Sequence, residues 1–352
     1  MTSILITGGA GFIGSHICIE LLRSGHNLYV VDSLVNSSIN SIRKIKELNK
    51  KYKSSKSSLV FKQLDIRDPI KLKEIFNLAI KQNNEIRSVI HLAGLKSVAN
   101  SYIDKDEYFD VNVNGSKNLL KIMEYFGCLE FVFSSSATVY DPFSVSPISE
   151  IAEINPINPY GKTKIEVEKI LLNKYEKCKK WKIICLRYFN PIGSHPSGEI
   201  GELPLKNPDN VFPYLCQVAL GKKKFLSIYG KDWPTKDGTG VRDYIHIMDL
   251  VEGHIVALNF LREKNETFNI VNLGTGKGTT VLELVKTFEK VNNLLINYKF
   301  VERRKGDLGM VYADVNYSKK LLNWSAKYDI SDMCKHGWLF SKKFPNGLQS
   351  CY

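Results

Sequence analysis

A glycine-rich turn between an apolar strand and a helix opens the chain and constrains its fold more than any other feature. Residues 3–7 form a short apolar run typical of a buried parallel strand. The next residues, GGAGFIG, fit both G-x-G-x-x-G and its more widely spaced variant, and residues 15–22 then indicate a helix. Glycines at these positions let the backbone turn tightly and approach a pyrophosphate, which would lie at the helix N-terminus. The sequence therefore predicts a nucleotide site at the start of the chain.

An acidic residue follows the second strand of this unit. Residues 28–31 predict that strand, and Asp32 ends it at the distance from Gly14 where a dinucleotide fingerprint places an acid for the ribose diol. A carboxylate at this position would repel a 2′-phosphate. We therefore expect NAD rather than NADP as the cofactor.

Strands and helices alternate through the first half of the chain. Further strands are predicted at 59–61, 88–92, 131–133 and 182–186, and helices at 70–80, 107–126 and 160–175. This alternation is typical of an α/β fold of the Rossmann type, a doubly wound parallel sheet that binds ligands at the carboxyl ends of its strands. Beyond residue 190, Gly and Pro become frequent, and short strands and irregular helices are predicted. We expect residues 1–190 to bind NAD, and residues 191–352 to form a smaller α/β region, interleaved with the first, that binds the substrate.

Tyr160 and Lys164 are spaced to share one face of a helix, because positions i and i+4 lie together. A phenol with a pKa of about 10 is a poor base at neutral pH, but an adjacent ammonium and an oxidised nicotinamide would both lower that pKa. Ser136 follows a predicted strand, where its hydroxyl would hydrogen-bond a substrate hydroxyl or the tyrosine oxygen. These three side chains predict acid–base chemistry beside a dinucleotide.

Composition limits the partners of the chain. Its net charge is +13, and its densest basic run is residues 43–56. This run is expected to be a solvated helix and loop; RNA binding is the alternative, but no groove-reading motif accompanies the charge, so no nucleic-acid partner is expected. The seven cysteines lack CxxC or metal-ligand spacing, which predicts reduced thiols and no metal site. Because neither a membrane-length apolar run nor a signal peptide is evident, we expect a cytoplasmic protein with no membrane partner.

Seven sequence blocks carry a resemblance to a known family. In chain order they are TGGAGFIGSH, HLAGLKSV, FSSSATVY, NPYGKTK, LRYFNPIGSHPSG, DGTGVRDYIHIMDL and RRKGD. Ser136, Tyr160 and Lys164 after a glycine-turn site resemble the extended short-chain dehydrogenases/reductases, and the seven blocks together resemble the UDP-glucose 4-epimerase family. The resemblance implies reversible epimerisation of UDP-galactose and UDP-glucose at C4, through a 4-keto sugar and tightly bound NAD. It also implies a homodimer built on the helices predicted at 107–126 and 160–175.

The same resemblance implies roles for individual residues. Tyr160 would take the proton of the C4 hydroxyl, Lys164 would lower the pKa of the tyrosine and bind the nicotinamide ribose, and Ser136 would orient the C4 hydroxyl. The cofactor-binding set is Gly8, Gly11, Phe12, Ile13, Gly14, Asp32, Ser33, Leu34, Val35, Asn36, Ser37, Asp65, Ile66, Leu92, Ala93, Gly94, Lys96, Ser136, Tyr160, Lys164 and Phe189. The substrate-binding set is Lys96, Ser136, Tyr160, Asn190, Asn210, Val211, Leu226, Ser227, Tyr229, Arg242, Arg304, Asp307 and Val311.

The resemblance also implies roles for the residues that would bind the UDP part of the substrate. Tyr229 would stack on uracil. Arg242 and Arg304 would hold the diphosphate, because a planar guanidinium suits phosphate oxygens. Asp307 would meet the ribose hydroxyls.

Three positions depart from the family pattern. Val111 stands where many members have an asparagine that contacts the cofactor, and Asp141 stands where the family usually has glycine. Val311 stands near the hexose C2 substituent, where a bulky tyrosine is associated with exclusion of N-acetylated sugars. We therefore expect UDP-GlcNAc and UDP-GalNAc to be accepted as well.

Other functions fit parts of this pattern. Nucleotide-sugar 4,6-dehydratases share the fold and the Tyr/Lys pair, but they usually carry an Asp-Glu pair where this chain has Ala137 and Thr138. An epimerase of UDP-pentoses or uronates remains an alternative. A regulator that binds NAD without catalysis is another, but it would not need Ser136, Tyr160 and Lys164 together.

Overall fold

The computed structural model describes residues 3–52, 57–203, 208, 210–304 and 307–348. Residues 53–56, which end the basic run, and residues 305–306 of the RRKGD block lie outside the described residues.

The described strands are short. In chain order they are β1 (Ser3–Thr7), β2 (Asn27–Asp32), β3 (Leu59–Gln63), β4 (Ile86–His91), β5 (Glu130–Ser134), β6 (Lys182–Tyr188), β7 (Asn190–Ile192), β8 (Leu226–Tyr229), β9 (Val241–Arg242), β10 (Tyr244–His246), β11 (Thr267–Leu273), β12 (Thr279–Thr280), β13 (Tyr298–Val301) and β14 (Met310–Val311).

The α-helices lie between and after these strands. They are α1 (Phe12–Arg23), α2 (Ile39–Tyr52), α3 (Pro69–Lys81), α4 (Val98–Ile103), α5 (Lys105–Phe109), α6 (Gly115–Tyr125), α7 (Pro159–Lys177), α8 (Val211–Ala219), α9 (Ile247–Glu263), α10 (Val281–Asn292), α11 (Asn316–Leu322) and α12 (Ile330–Lys343). A π-helix (Asp110–Asn114) joins α5 to α6, and a short 3₁₀ helix (Ala137–Val139) follows β5.

The largest sheet has seven strands in the order β11-β6-β5-β4-β1-β2-β3. The pairs among β1 to β6 are all parallel. Strand order reverses beside β1, so the carboxyl ends of β1 and β4 border the position where such sheets bind ligands. This confirms the predicted Rossmann-type α/β fold, and it places the ends of β1, β2, β4 and β5 at one edge.

Two compact units divide the chain. The first comprises Met1–Val139, Asn158–Arg187 and Val251–Val271, and the second comprises Tyr140–Ile157, Tyr188–Leu250 and Asn272–Tyr352. Each unit has its own apolar core: Phe131, Trp181 and their neighbours in the first, and Phe212, Phe288 and theirs in the second. The assignment of NAD binding to residues 1–190 and of substrate binding to residues 191–352 stays a prediction.

The structure departs from the predicted elements in three places. The helix expected at 107–126 is interrupted by the π-helix, where one turn of the backbone widens. The strand β11, which forms one edge of the large sheet, was not predicted, although its sequence TFNIVNL is rich in residues with a high propensity for β-strands. The expectation of irregular helices beyond residue 190 is wrong for α9, which runs over 17 residues.

The part of the chain that the structure describes contains no helix with both the length and the apolar character needed to cross a membrane.

Candidate active site

The glycine turn after β1 is packed too closely for side chains. A Cβ on Gly14 would lie 2.3 Å from the carbonyl oxygen of Gly8, and one on Gly8 would lie 2.7 Å from the amide nitrogen of Ala93. Gly8 also has a φ of +72°, a left-handed conformation that only glycine adopts without strain. The turn therefore presents bare backbone at the N-terminus of α1.

Helix α1 begins without a side-chain cap. Its N-cap residue is Gly11, no side chain accepts from the first-turn amides, and the first turn contains no acidic residue. Unpaired amides and the positive end of the helix dipole favour an anion at this place. The backbone of Phe12 and Ile13 lies in this first turn.

Asp32 joins the glycine turn to the loop after β2. Its Oδ2 accepts from the amide of Ala10 at 3.0 Å, and its Oδ1 accepts from the amide of Leu34 at 2.9 Å and the hydroxyl of Ser37 at 2.8 Å. Leu34 has a φ of 62°, and a non-glycine residue in this region indicates local strain of the kind found in ligand loops. A carboxylate has about four acceptor positions, so Asp32 can also accept from a ribose hydroxyl.

Asp65 and Ile66 follow β3, as a site at the strand ends requires. The Asp65 carboxylate accepts from Arg67 Nη2 at 2.7 Å, and this hydrogen bond holds the pKa of Asp65 below its usual value. Ile66 is buried. Arg67 also bonds Glu107 and Asp110, each at 3.1 Å. Sequence reasoning did not single out Arg67, although it lies two residues after Asp65.

Asn112, in the π-helix, holds the loop after β4. Its Oδ1 accepts from the amide of Leu95 at 2.8 Å, and its Nδ2 donates to the carbonyl of Leu95 at 3.1 Å. Nδ2 also donates to the hydroxyl of Thr163 at 2.9 Å, and Thr163 donates to the carbonyl of Tyr160 at 2.7 Å. One buried amide thus connects the loop that contains Leu92, Ala93, Gly94 and Lys96 to the helix that carries Tyr160. Its neighbour Val111, noted as a departure, is partly buried.

Helix α7 begins with the two sequence features that are common at helix N-termini, a capping side chain and a proline in the first turn. Asn158 is its N-cap and accepts from the amide of Gly161 at 2.7 Å, and Pro159 occupies the first turn. Tyr160 and Lys164 are both buried on this helix, as their spacing predicts. The Lys164 Nζ lies 5.7 Å from the centre of the Tyr160 ring.

The hydroxyl of Ser136 lies near Tyr160 and lowers the pKa of the phenol. The Ser136 Oγ accepts from the amide of Thr138 at 3.2 Å and from the Thr138 hydroxyl at 3.0 Å. Because Thr138 donates twice, the hydroxyl hydrogen of Ser136 is left for the tyrosine oxygen or a ligand. Sequence reasoning named Thr138 only as a position without the acidic pair of the dehydratases and gave it no role in the site.

Burial opposes the ionisation of both Tyr160 and Lys164. Burial, with a smaller contribution from Tyr108, raises the pKa of Tyr160 to about 12 against the opposing effect of Ser136. Burial lowers the pKa of Lys164 to about 8, and Glu168 opposes that shift. The net shift of the Tyr160 pKa is upward, and the lowering expected from Lys164 stays a prediction. Residues of the chain by themselves keep Tyr160 protonated at neutral pH, so the phenolate requires a further positive charge beside the ring.

Lys164 is held by the end of β5. Its Nζ donates to the carbonyl of Ser134 at 2.9 Å. On the neighbouring strand β4, burial and the charge of Lys164 lower the pKa of His91 to about 3, so His91 is neutral. His91 lies between Thr7, at 2.7 Å, and Ser116, at 2.8 Å.

Two predicted substrate residues of the second unit meet directly. The Arg304 guanidinium lies 3.8 Å from the centre of the Tyr229 ring. Strands β8 and β13 bring them together, because Tyr229 pairs with Val301 and Arg304 follows three residues later. A flat base and a phosphate could be bound by such a pair, with the base on one side of the ring and the guanidinium beside it.

A second group surrounds Arg242. Its guanidinium forms an ion pair with Asp307 and donates to the carbonyl of Leu308 at 2.9 Å. Arg242 pairs with Val311 between strands β9 and β14. Asn190 is close along the backbone, since its amide donates to the carbonyl of Asp243 at 3.0 Å. Asn210 is the N-cap residue of α8, but its side chain makes no capping bond to that helix.

The other predicted positions differ in exposure. Phe189 and Leu226 are buried, whereas Val35 is 69% exposed. The remaining residues of the two sets are partly buried or exposed: Ser33, Asn36, Lys96, Val211 and Ser227.

The first unit fits NAD by its own geometry. Gly8 and Gly14 leave room that a Cβ would fill, α1 presents uncapped amides, and Asp32 stands at the end of β2. These features are what a pyrophosphate and an adenosine ribose require.

Known proteins share this architecture over nearly the whole chain. The family model described as GDP-mannose 4,6 dehydratase matches residues 5–337. A UDP-glucose 4-epimerase of Bacillus subtilis (strain 168) is 44% identical, with 99% of each chain covered. Another from Cyamopsis tetragonoloba is 46% identical and covers 98% of this chain and 96% of its own.

Solved structures give the same result. UDP-glucose 4-epimerase from Stenotrophomonas maltophila, with bound NAD and formylated UDP-arabinopyranose, has a TM-score of 0.92 and 41% identity, and covers 98% of this chain and 99% of its own. The Bifidobacterium longum enzyme in complex with NAD+ and UDP has a TM-score of 0.90 and 39% identity, and covers 98% and 100%. This chain belongs to the UDP-glucose 4-epimerase family of extended short-chain dehydrogenases/reductases.

Proposed function

We propose that this chain interconverts UDP-galactose and UDP-glucose by inverting C4 of the hexose, with NAD as a tightly bound cofactor. The observation that carries the proposal is the arrangement of Ser136, Tyr160 and Lys164 in the unit that also contains the uncapped glycine turn. A carbon whose hydrogen is not acidic cannot be inverted by proton transfer alone, so transient oxidation to a 4-keto sugar is required. NAD, held at the glycine turn, the first turn of α1 and Asp32, would supply the hydride acceptor for that oxidation and the hydride source for the reverse step.

The three side chains divide the proton chemistry. Tyr160 Oη takes the proton of the C4 hydroxyl and later returns it, a role that needs a phenol near its phenolate form. Ser136 donates to the tyrosine oxygen or the sugar hydroxyl, because Thr138 already donates to its Oγ. Lys164, fixed on the Ser134 carbonyl, contributes a positive charge that favours the phenolate and is also proposed to bind the nicotinamide ribose.

The second unit is proposed to bind the UDP part of the substrate. Tyr229 would stack on uracil, Arg242 and Arg304 would hold the diphosphate, and Asp307 would accept from the ribose hydroxyls. The Arg304–Tyr229 contact and the Arg242–Asp307 ion pair support this, since each joins two of these residues. Asn190, Asn210, Val211, Leu226 and Ser227 are proposed to complete the site.

The assay is interconversion of UDP-galactose and UDP-glucose by purified protein without added NAD. We expect turnover, because a cofactor that is restored in every cycle need not leave. UDP-xylose and UDP-glucuronate serve as parallel substrates. If the protein binds NAD but acts on none of these substrates, it is a regulator and this proposal is wrong. If it prefers UDP-xylose or UDP-glucuronate, the alternative of a pentose or uronate epimerase replaces this proposal.

Acceptance of N-acetylated sugars is a finer proposal. Val311 is paired with Arg242, so a small side chain stands beside an arginine proposed to hold the diphosphate. A small residue leaves space for a bulky C2 substituent, and we expect turnover of UDP-GlcNAc that Val311→Tyr abolishes while UDP-galactose turnover persists. No turnover of UDP-GlcNAc by the parent would contradict this.

Two properties of the whole protein are also proposed. A homodimer is supported by apolar side chains exposed on α5 and α7, Phe109 at 44% and Leu172 at 40%. A cytoplasmic location is supported by the free thiols of Cys18, Cys128, Cys178, Cys185, Cys216 and Cys334.

A further inference from the structure

A buried ion pair lies one helical turn beyond Lys164. Glu168 and Arg187 each have side chains that are 3% exposed, and Arg187 Nη2 lies 2.6 Å from Glu168 Oε2. Arg187 Nε also donates to Glu168 Oε1 at 3.0 Å, which completes a bidentate pair. Removing both charges from water is costly, and a buried ion pair gives little net stability. Stability alone therefore does not explain why this pair is present.

Glu168 also holds the end of β5. Its Oε1 accepts from the hydroxyl of Ser135 at 2.5 Å. The residue before Ser135 is Ser134, whose carbonyl accepts from Lys164. The residue after it is Ser136, whose hydroxyl lowers the pKa of Tyr160. Fixing Ser135 therefore fixes the backbone on which both contacts depend.

The carboxylate of Glu168 also acts on Lys164 by its charge. The two residues are at positions i and i+4 of α7, which face the same side of the helix. Burial disfavours the ammonium of Lys164, and Glu168 is the group that opposes this. Among the described residues, Tyr160 on the same helix and the neutral His91 on β4 also lie near this lysine. Around its partners Glu168 and Ser134 lie Arg187 and Cys185 on β6 and His254 on α9, whose Nε2 is 2.7 Å from the Ser134 hydroxyl.

We propose that Glu168, held by Arg187, is a positioning residue for the reaction: it fixes the end of β5 through Ser135 and keeps Lys164 charged. This rests on the function proposed above, because Ser136, Tyr160 and Lys164 are the groups that it serves. Glu168 makes its effect through Ser135 and Lys164 and needs no contact with the sugar.

The test separates charge from position. Glu168→Gln keeps the shape and removes the charge; we expect the alkaline limb of the kcat–pH profile to move about one unit toward lower pH, because Lys164 loses its proton more easily. Ser135→Ala keeps the charge and removes the contact to β5; we expect kcat to fall about tenfold with the alkaline limb in place. Glu166→Gln, a half-buried glutamate on the same helix, is the matched control and should leave both unchanged.

Folding effects are separated by a double variant. Glu168→Gln leaves the buried Arg187 unpaired, which will lower the melting temperature. Adding Arg187→Met removes that lone charge and should recover thermal stability, while the alkaline limb returns only part of the way, because Lys164 loses a nearby cation but still lacks its carboxylate partner. A purely structural ion pair would recover both properties together, and that result would overturn the proposal.

A direct reading of Lys164 does not depend on activity. Trace acetylation of the whole protein across a pH series, followed by peptide mass spectrometry, gives the pH at which Lys164 becomes reactive. We expect this pH to be lower in Glu168→Gln than in the parent, even if the parent proves to have another substrate. An unchanged pH for Lys164 in Glu168→Gln, or an unchanged kcat in Ser135→Ala with an active parent, contradicts the proposal.

Discussion

Lys164 carries its charge in a place where burial works against that charge. Only 5% of the residue is exposed, and burial lowers its pKa to about 8, from 10.5. In the proposed mechanism this cost has a function, because a positive charge beside a phenol favours the phenolate. Residues that oppose stability in this way are expected where chemistry takes place.

This cost predicts a pH dependence of stability. Between the folded pKa of about 8 and the unfolded value of 10.5, the unfolded chain binds more protons at Lys164 than the folded chain does. Stability due to this group therefore rises with pH in that window and is lowest below it. The parent should gain about 2–3 kcal/mol relative to Lys164→Met between pH 7 and pH 10.

Urea unfolding of both proteins at the two pH values measures this difference. Lys162→Met, at an exposed position on the same helix, serves as the control and should show no such trend. A parent-minus-variant difference that stays constant with pH would mean that Lys164 is not penalised by burial.

The glycine turn gives a graded prediction. Gly14→Ala places a Cβ 2.3 Å from the Gly8 carbonyl, whereas Gly11→Ala places one 3.3 Å from the same atom. The first substitution must move backbone and should cost about 1–3 kcal/mol of unfolding free energy and most of the NAD affinity. The second should cost less in stability. Thermal unfolding and NAD titration would decide; equal stability of the two variants would contradict the packing argument.

At the scale of single elements, the π-helix allows one side chain to bond both the loop after β4 and the helix α7. The widened turn contains Asn112, which bonds both backbone groups of Leu95 and the hydroxyl of Thr163. π-bulges inside α-helices are frequent at functional sites. Nothing in the periodicity of residues 107–126 reveals such a bulge, because one extra residue in a turn leaves the apolar pattern readable as a single helix.

Removing the Asn112 side chain tests this element. Asn112→Ala leaves the amide and carbonyl of Leu95 without these partners inside the protein, which should cost about 2–3 kcal/mol of unfolding free energy and weaken NAD binding. Asn114→Ala, in the same π-helix, removes a bond to Asp110 on a half-exposed side chain and should be nearly neutral. Denaturant unfolding and NAD titration of both variants measure the difference. If the two variants lose similar amounts of unfolding free energy and of NAD affinity, the hydrogen bonds from Asn112 to Leu95 do not stabilise the site as argued.

For the whole molecule, the sequence predicted the parts that are set by local patterns. The apolar runs of β1 to β6, the glycine turn and the i, i+4 pair on α7 are all readable along the chain, and the structure has them in the expected order. It could not reveal β11 as the edge of the large sheet, since that pairing joins residues far apart in sequence. The same holds for Glu168, whose partners are Ser135, directly after β5, and Arg187, on β6.

The pKa of Tyr160 was the least predictable property. Its direction depends on the balance between burial, which raises the pKa together with Tyr108, and the Ser136 hydroxyl, which lowers it. Burial cannot be read from residue spacing. The structure shows that the chain alone leaves the phenol at a pKa of about 12. The proposed mechanism therefore makes the positive charge of the cofactor an essential part of the acid–base group.

Tyr160→Phe tests the central claim most directly. The substitution removes one oxygen atom from a buried ring, so the fold and NAD binding should persist, while kcat for UDP-galactose should fall by about 10²–10⁴ at every pH. Tyr175→Phe, farther along the same helix, should retain the parent rate. A Tyr160→Phe protein within about tenfold of the parent kcat would show that another group moves the proton, and the proposed mechanism would be wrong.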